Sequence, residues 1–148
     1  MHFQTEKLSL HAPEGQHFID ITDRVTSVVR GSGVHDGHVL VFVKHTTCGL
    51  RICENEERLL QDKHNLFEKL VPKASKYLHD DIHLRNCPAN ERVNGHAHLK
   101  SLLLNTSEII PVSDGKLMLG RWQHVFLIEL DGAREREVVV QILGEKIK

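Results

Sequence analysis

Apolar positions along the chain change period several times, and each change marks a predicted element. In Phe3–Leu10 (FQTEKLSL) the apolar residues Phe3, Leu8 and Leu10 stand in broken alternation, which predicts an N-terminal strand. The Pro13-Glu14-Gly15 turn leads into His17–Ile21, predicted as a short strand paired with the first. Thr22 is expected to cap a helix with Asp23 in its first turn; Val25, Val28 and Val29 share a face, and Gly31 and Gly33 end it. His38–Lys44 is β-branched and almost continuously apolar, the pattern of a central strand covered on both faces. Gly49–Cys53 predicts another strand.

Between Asn55 and Val71 the positions Leu59, Leu60, Lys63, Leu66, Phe67 and Leu70 recur at helical steps. Asn55 is placed to cap this helix, Glu56 and Glu57 suit its dipole, and Pro72 stops it. Lys73–Val93 has no period, and so long an irregular stretch inside a compact domain points to function. A shorter helix is expected over Gly95–Leu104, with Leu99, Leu102 and Leu103 inward. The remainder reads as β: Ser107–Val112, a hairpin at Ser113-Asp114-Gly115, Lys116–Leu119, Trp122–Leu130, a second hairpin at Asp131-Gly132, and Arg134–Leu143. One α+β domain over residues 1–148 is the expected organisation.

Composition narrows the function classes. The chain has 19 Lys and Arg against 20 Asp and Glu, so no basic excess exists to drive nucleic-acid binding. Its longest apolar runs, such as Val39–Val43, are too short to span a membrane, and Met1–Lys7 lacks the apolar stretch of a signal peptide. The three cysteines, Cys48, Cys53 and Cys87, are odd in number and fit no zinc-finger spacing, which favours a reducing cytoplasm over a disulfide framework.

The unusual quantity is twelve histidines in 148 residues. His2, His11, His17, His35 and His38 fall among polar neighbours and read as surface residues; His64 lies mid-helix. His45 ends the most apolar strand, where ligand sites often form. His79 lies in the unexplained loop, and His96 and His98 begin a helix. In a fully helical segment those last two point about 200° apart and cannot share a metal; they converge only if the helix begins at Ala97. His45, His79 and His98 together would leave a position open for water or substrate, as catalytic zinc sites require. The alternative is that these imidazoles bond to loop backbone and bind nothing. Glu54 is placed to bind a metal, orient a histidine or act as a base. Asp131-Gly132 with Arg134 and Arg136 reads either as a turn with an exposed charged strand or as an anion site. Thr46, Thr47 and Gly49 offer hydroxyl and N–H groups to a phosphate; no Walker or Rossmann pattern is present.

The runs HTTCGL (His45–Leu50), ENEE (Glu54–Glu57), YLHDD (Tyr77–Asp81), NGHAHLKSLLL (Asn94–Leu104), IPVSDGKLMLGRWQ (Ile110–Gln123) and ELDGARER (Glu129–Arg136) resemble the YjbQ-like family. Its members are often labelled secondary thiamine-phosphate synthases. The likeness spans essentially the whole chain, and it implies a compact α+β fold of β-sheets layered against helices, a homotrimer, and a metal-associated site near the subunit boundary. It carries metal-ligand roles onto His45, His79 and His98, with His96 matching members that read N-x-H-A-H. It carries the Glu-Asn-Glu element onto Glu54, Asn55 and Glu56, and the remaining motifs onto Trp122, Gln123, Asp131, Gly132 and Arg134. The chain departs from the usual pattern at Arg121, where a Thr is common, and at Cys53, where Asn is frequent.

The function this implies is a metal-assisted enzyme on a phosphorylated small molecule, joining an aminopyrimidine diphosphate to a thiazole phosphate with release of pyrophosphate. The expected catalytic residues are Glu54 and Asp131. Thr46, Thr47, Asn55, Asn94, Lys100, Arg121, Trp122, Gln123 and Arg134 are expected to bind substrate. Imidazole ligands favour zinc as the divalent metal, with magnesium the alternative. The competing readings are a metal-dependent hydrolase with Glu54 as base, and a non-catalytic homotrimer that binds a metal or small ligand.

Overall fold

Among the described residues eight strands and three helices follow in the order β1 (His2–Ala12), β2 (His17–Asp20), α1 (Thr22–Ser32), β3 (Asp36–Val43), β4 (Cys48–Cys53), α2 (Glu57–Leu70), α3 (Gly95–Ser101), β5 (Ser107–Ser113), β6 (Lys116–Leu117), β7 (His124–Glu129) and β8 (Arg134–Glu145). The computed structural model describes residues 1–147. The strands form two antiparallel sheets, one of five strands in the order β1-β8-β3-β5-β6 and one of three in the order β2-β7-β4. The result is the expected mixed α+β fold.

The main core lies between the sheets and α1. Val39, Val41 and Val43 of β3, Val138, Val140 and Ile142 of β8, Leu50 of β4 and Val125 and Leu127 of β7 meet Val25, Val28 and Val29 of α1 there. In β3 and β8 alternation puts the buried set on one face, whereas β7 is buried on both. β3 is central, but Leu40 and Phe42 on its other face are only half-buried, so the apolar run is not covered equally on both faces. A second cluster, Ala97, Phe126, Ile128 and Leu130, packs on the far side of the three-stranded sheet beneath α2 and α3.

Two expected hairpins are not hairpins. β1 pairs with β8 over its full length, from His2↔Gly144 to Ala12↔Arg134, whereas β2 pairs with β7 from His17↔Glu129 to Asp20↔Phe126. The two pairings are one antiparallel ribbon that bends from one sheet into the other. Its inner corner is Pro13-Glu14-Gly15 and its outer corner is Asp131-Gly132, joined by a hydrogen bond from the Gly15 N–H to the Asp131 carbonyl at 3.1 Å. Gly132 has φ +64°, and a Cβ there would lie 1.9 Å from the Pro13 carbonyl oxygen. Only a glycine permits both the angle and the approach. The hairpin at Asp114-Gly115 is as expected, with both residues at positive φ, 50° and 68°.

Side chains also shift the helix caps. The Asp20 carboxylate accepts from the Thr22 N–H at 2.9 Å, so Thr22 is the first helical residue and not the cap. Glu56 caps α2, accepting from the N–H groups of Arg58 and Leu59 at 2.9 and 2.8 Å, while Asn55 turns away to donate to Asp20 at 2.9 Å. α3 stops at Ser101 and buries Ala97, His96 and Lys100, which leaves Leu99, Leu102 and Leu103 outward. The inward face is fixed by Gly95, whose missing side chain lets the helix start press against Tyr77. Lys73–Val93 is irregular apart from two 3-10 turns, Leu78–Asp80 and Ile82–Leu84. Among the described residues no helix is long and apolar enough to cross a membrane.

Candidate functional site at the ribbon corner

The outer corner is built on a buried ion pair. Glu129 and Arg136 are 0% and 2% exposed. One Glu129 oxygen, Oε1, accepts from the N–H groups of Leu130, Asp131 and Gly132 at 3.0, 2.8 and 2.8 Å, so a single carboxylate shapes the turn. Arg136 closes on both oxygens, at 2.5 and 2.7 Å, and donates to the Thr47 hydroxyl at 2.8 Å. Burial pushes the Glu129 carboxyl upward, but the Arg136 and backbone hydrogen bonds outweigh it and hold the group below its ordinary range. The pattern of the chain marked Arg136 as exposed. Its alternation with Val138 and Val140 places it on the inner face, and that was the available signal.

Asp131 is the next layer. It accepts from Asn94 at 2.9 Å, Arg92 at 3.0 Å and Arg134 at 2.8 Å. Arg92 also donates to the Gly132 carbonyl. Burial again acts upward, and the Asn94 and Arg92 hydrogen bonds bring the carboxyl below its usual range. Asp131 is therefore an ionised anchor for two arginines. Arg92 was not singled out by any motif, because only the tertiary fold brings it to the corner.

The histidines arrive from two elements. His79 sits on the first 3-10 turn, whose Asp80 carboxylate accepts from the Gly95 N–H at 2.8 Å. That contact brings His79 against His98, with ring centroids 4.5 Å apart and planes at 54°. Arg85 donates to the His79 carbonyl at 2.7 Å. His96 and His98 are both inside α3, so they diverge as a helical i, i+2 pair must. Burial is the main influence on both and lowers their pKa; the next is Lys100 for His96 and His79 for His98, also lowering. Both are neutral at neutral pH, with lone pairs available.

The remaining candidates divide. His45 follows β3, where its Nε2 accepts from the Glu137 N–H at 3.1 Å; burial and then the Arg136 charge lower its pKa. Thr46 is exposed and Thr47 is bound to Arg136. Lys100 is buried on the other side of α3, donating to Gln16 at 3.0 Å and Glu68 at 2.9 Å. Glu54, Asn55, Arg121, Trp122 and Gln123 lie at the opposite end of β7. There Asn55 holds Asp20, the Gln123 side chain accepts from the Gly120 N–H at 2.8 Å, and Arg121 stacks over the exposed Trp122 ring at 4.7 Å. At roughly 3.3 Å per residue, β7 separates the two groups by on the order of 16 Å.

Among the described residues no three His, Cys, Asp or Glu side chains group closely enough to hold a metal ion. The His79–His98 pair supplies two nitrogen donors, which fits an imidazole-preferring divalent ion with further positions left to water or ligand. The Asp131 carboxylate beside the pair is taken up by Arg92, Asn94 and Arg134 on both oxygens.

Two antiparallel sheets joined by a bent ribbon, with a histidine and arginine cluster at the bend, define this protein's class. The family model described as UPF0047 protein YjbQ-like matches residues 6–145, and the chain belongs to that family. It is 37% identical to a UPF0047 protein of Methanothermobacter thermautotrophicus over 98% of this chain and 95% of the relative. A UPF0047 protein of Archaeoglobus fulgidus is 42% identical over 93% of this chain and 99% of its own. Among solved structures, a YbjQ-like protein of unknown function from Sulfolobus solfataricus superimposes with a TM-score of 0.86 at 32% identity, covering 97% of this chain and 99% of that one.

Proposed function

We propose that the corner receives a phosphorylated small molecule with the help of a divalent metal ion, and that the protein is a transferase of the thiamine-phosphate synthase type. The observation that carries this reading is the His79–His98 pair, packed ring against ring beside Arg134 and Arg85, whose charges both reach His98. In this reading His79 and His98 hold a zinc ion, which when bound would polarise phosphate oxygens. Arg92 and Arg134, held in place by Asp131, receive the phosphate through their planar forks. Glu54, Asn55, Trp122 and Gln123 serve the same ligand from a neighbouring subunit of a homotrimer, which is the way that groups at opposite ends of β7 come together. A cytoplasmic setting suits the three unpaired cysteines.

One observation favours non-catalytic ligand binding: Asp131 has donors on both oxygens and is poorly placed to move a proton. Elemental analysis separates the readings. Wild-type protein should carry a stoichiometric divalent ion that His79→Ala and His98→Ala lose and His64→Ala keeps; equal content in all four would sink the metal site. Incubation with the aminopyrimidine diphosphate and thiazole phosphate should release pyrophosphate, and Glu54→Ala should stop this with metal content unchanged. Metal binding without turnover would establish the binding protein.

A further inference from the structure

A groove distinct from the corner of the same chain runs between α2 and the three-stranded sheet. α2 is amphipathic, yet it buries none of its residues, and Leu66 and Leu70 remain 55% and 56% exposed. Leu60 packs on the second core cluster and Phe67 reaches Phe18, which meets Phe67 and Phe126 at 6.2 and 6.1 Å between ring centroids, so α2 rests on the sheet along one side and leaves a groove beside Leu66 and Leu70. The space left is about 420 Å³, closed on its other side by Leu103 and Leu104. That volume is in the range of small-ligand pockets, roughly 300–1,000 Å³.

The groove has apolar walls, two cations and no carboxylate among its lining residues. Lys63 reaches in from α2, donating to the Glu54 carbonyl at 2.7 Å, with its ammonium 6.0 and 5.9 Å from the Phe18 and Phe126 rings. Arg51 reaches in from β4 and donates to the Leu103 carbonyl at 3.3 Å. Each of these bonds goes to a neutral oxygen and uses one donor, so both side chains keep N–H groups to offer a ligand. The nearby Glu56 carboxylate feels Lys63, but it is bound to the first N–H groups of α2. An apolar trough with a positive centre complements a ligand with a hydrocarbon tail and a single anionic head.

We propose that this groove binds a free medium-chain carboxylate, its tail along Phe18, Phe67 and Leu70 and its head on Arg51 and Lys63. The test is calorimetric titration of the full chain with decanoate below its micelle concentration, and with decyltrimethylammonium as the same tail bearing the opposite charge. Decanoate should saturate, and the cation should not. Arg51→Gln, at an exposed side chain that leaves the fold intact by circular dichroism, should weaken decanoate roughly tenfold, as loss of a charge-assisted contact does. Lys63→Met should do the same, and Leu66→Asp should abolish binding. Equal affinity for both tails, or unchanged affinity in Arg51→Gln, would overturn the proposal. So would a wild type that takes up no decanoate; loss of mass by light scattering on Leu66→Asp would then make a second copy of the chain the occupant.

Discussion

Glu129 and Arg136 show how much a single buried pair decides. Removing Arg136 strands a carboxylate that is fully buried and releases the Thr47 hydroxyl. Arg136→Met should therefore cost about 3–5 kcal/mol in urea denaturation. Titration at the residue scale also has a definite sign. Glu129 and Asp131 have lowered folded pKa values, so their contribution is present above the ordinary carboxylate range and is lost as pH falls through the folded values. His45, His96 and His98 are lowered too, so the unfolded chain binds protons that the native chain does not, and stability falls on acidification below the ordinary histidine pKa. The urea midpoint should drop between pH 7.5 and pH 5.5; a rise would contradict the assigned directions. Most of these residues were legible as types. What could not be read was which oxygen each donor would meet, because partners such as Arg92 and Asp131 are far apart in sequence and meet only across the fold.

At the scale of elements, the corners matter more than the strands. Gly132 and Gly115 share a positive φ, yet a Cβ at Gly132 would strike the Pro13 backbone, while one at Gly115 meets only the Val34 carbonyl at 3.7 Å. Gly115→Ala should cost about 1–2 kcal/mol, the strain of the left-handed conformation alone, and Gly132→Ala distinctly more by thermal denaturation. Equal costs would mean that the two corners are not in contact. Periodicity located nearly every strand within a few residues. It placed β1 with β2 and β7 with β8, because adjacency in sequence usually means pairing and nothing local announces a strand that bends into another sheet. Leu99, Leu102 and Leu103, expected inward, face outward: helical spacing gives a face but not which face the neighbours cover.

For the whole molecule, the ladder between β1 and β8 ties the two ends of the chain together, and β8 lies between β1 and β3. Val138, Val140 and Ile142 should be among the slowest amides in hydrogen exchange, and Lys73–Val93 among the fastest apart from the turns pinned to α3. Fast exchange in β8 would show that the five-stranded sheet is not the stable unit. The sequence alone determined the α+β class, the strand-rich ends, the position of α2 and the family motifs that single out His45, His79 and His98, since each is written in local period or local pattern. Tertiary structure decided that His79 meets His98 while His45 bonds to β8, that Asp131 is an anchor, and that Glu54, Asn55, Trp122 and Gln123 stand a strand's length away. Those outcomes depend on how two sheets share one bent ribbon, and contacts between residues distant in sequence leave no local period to read.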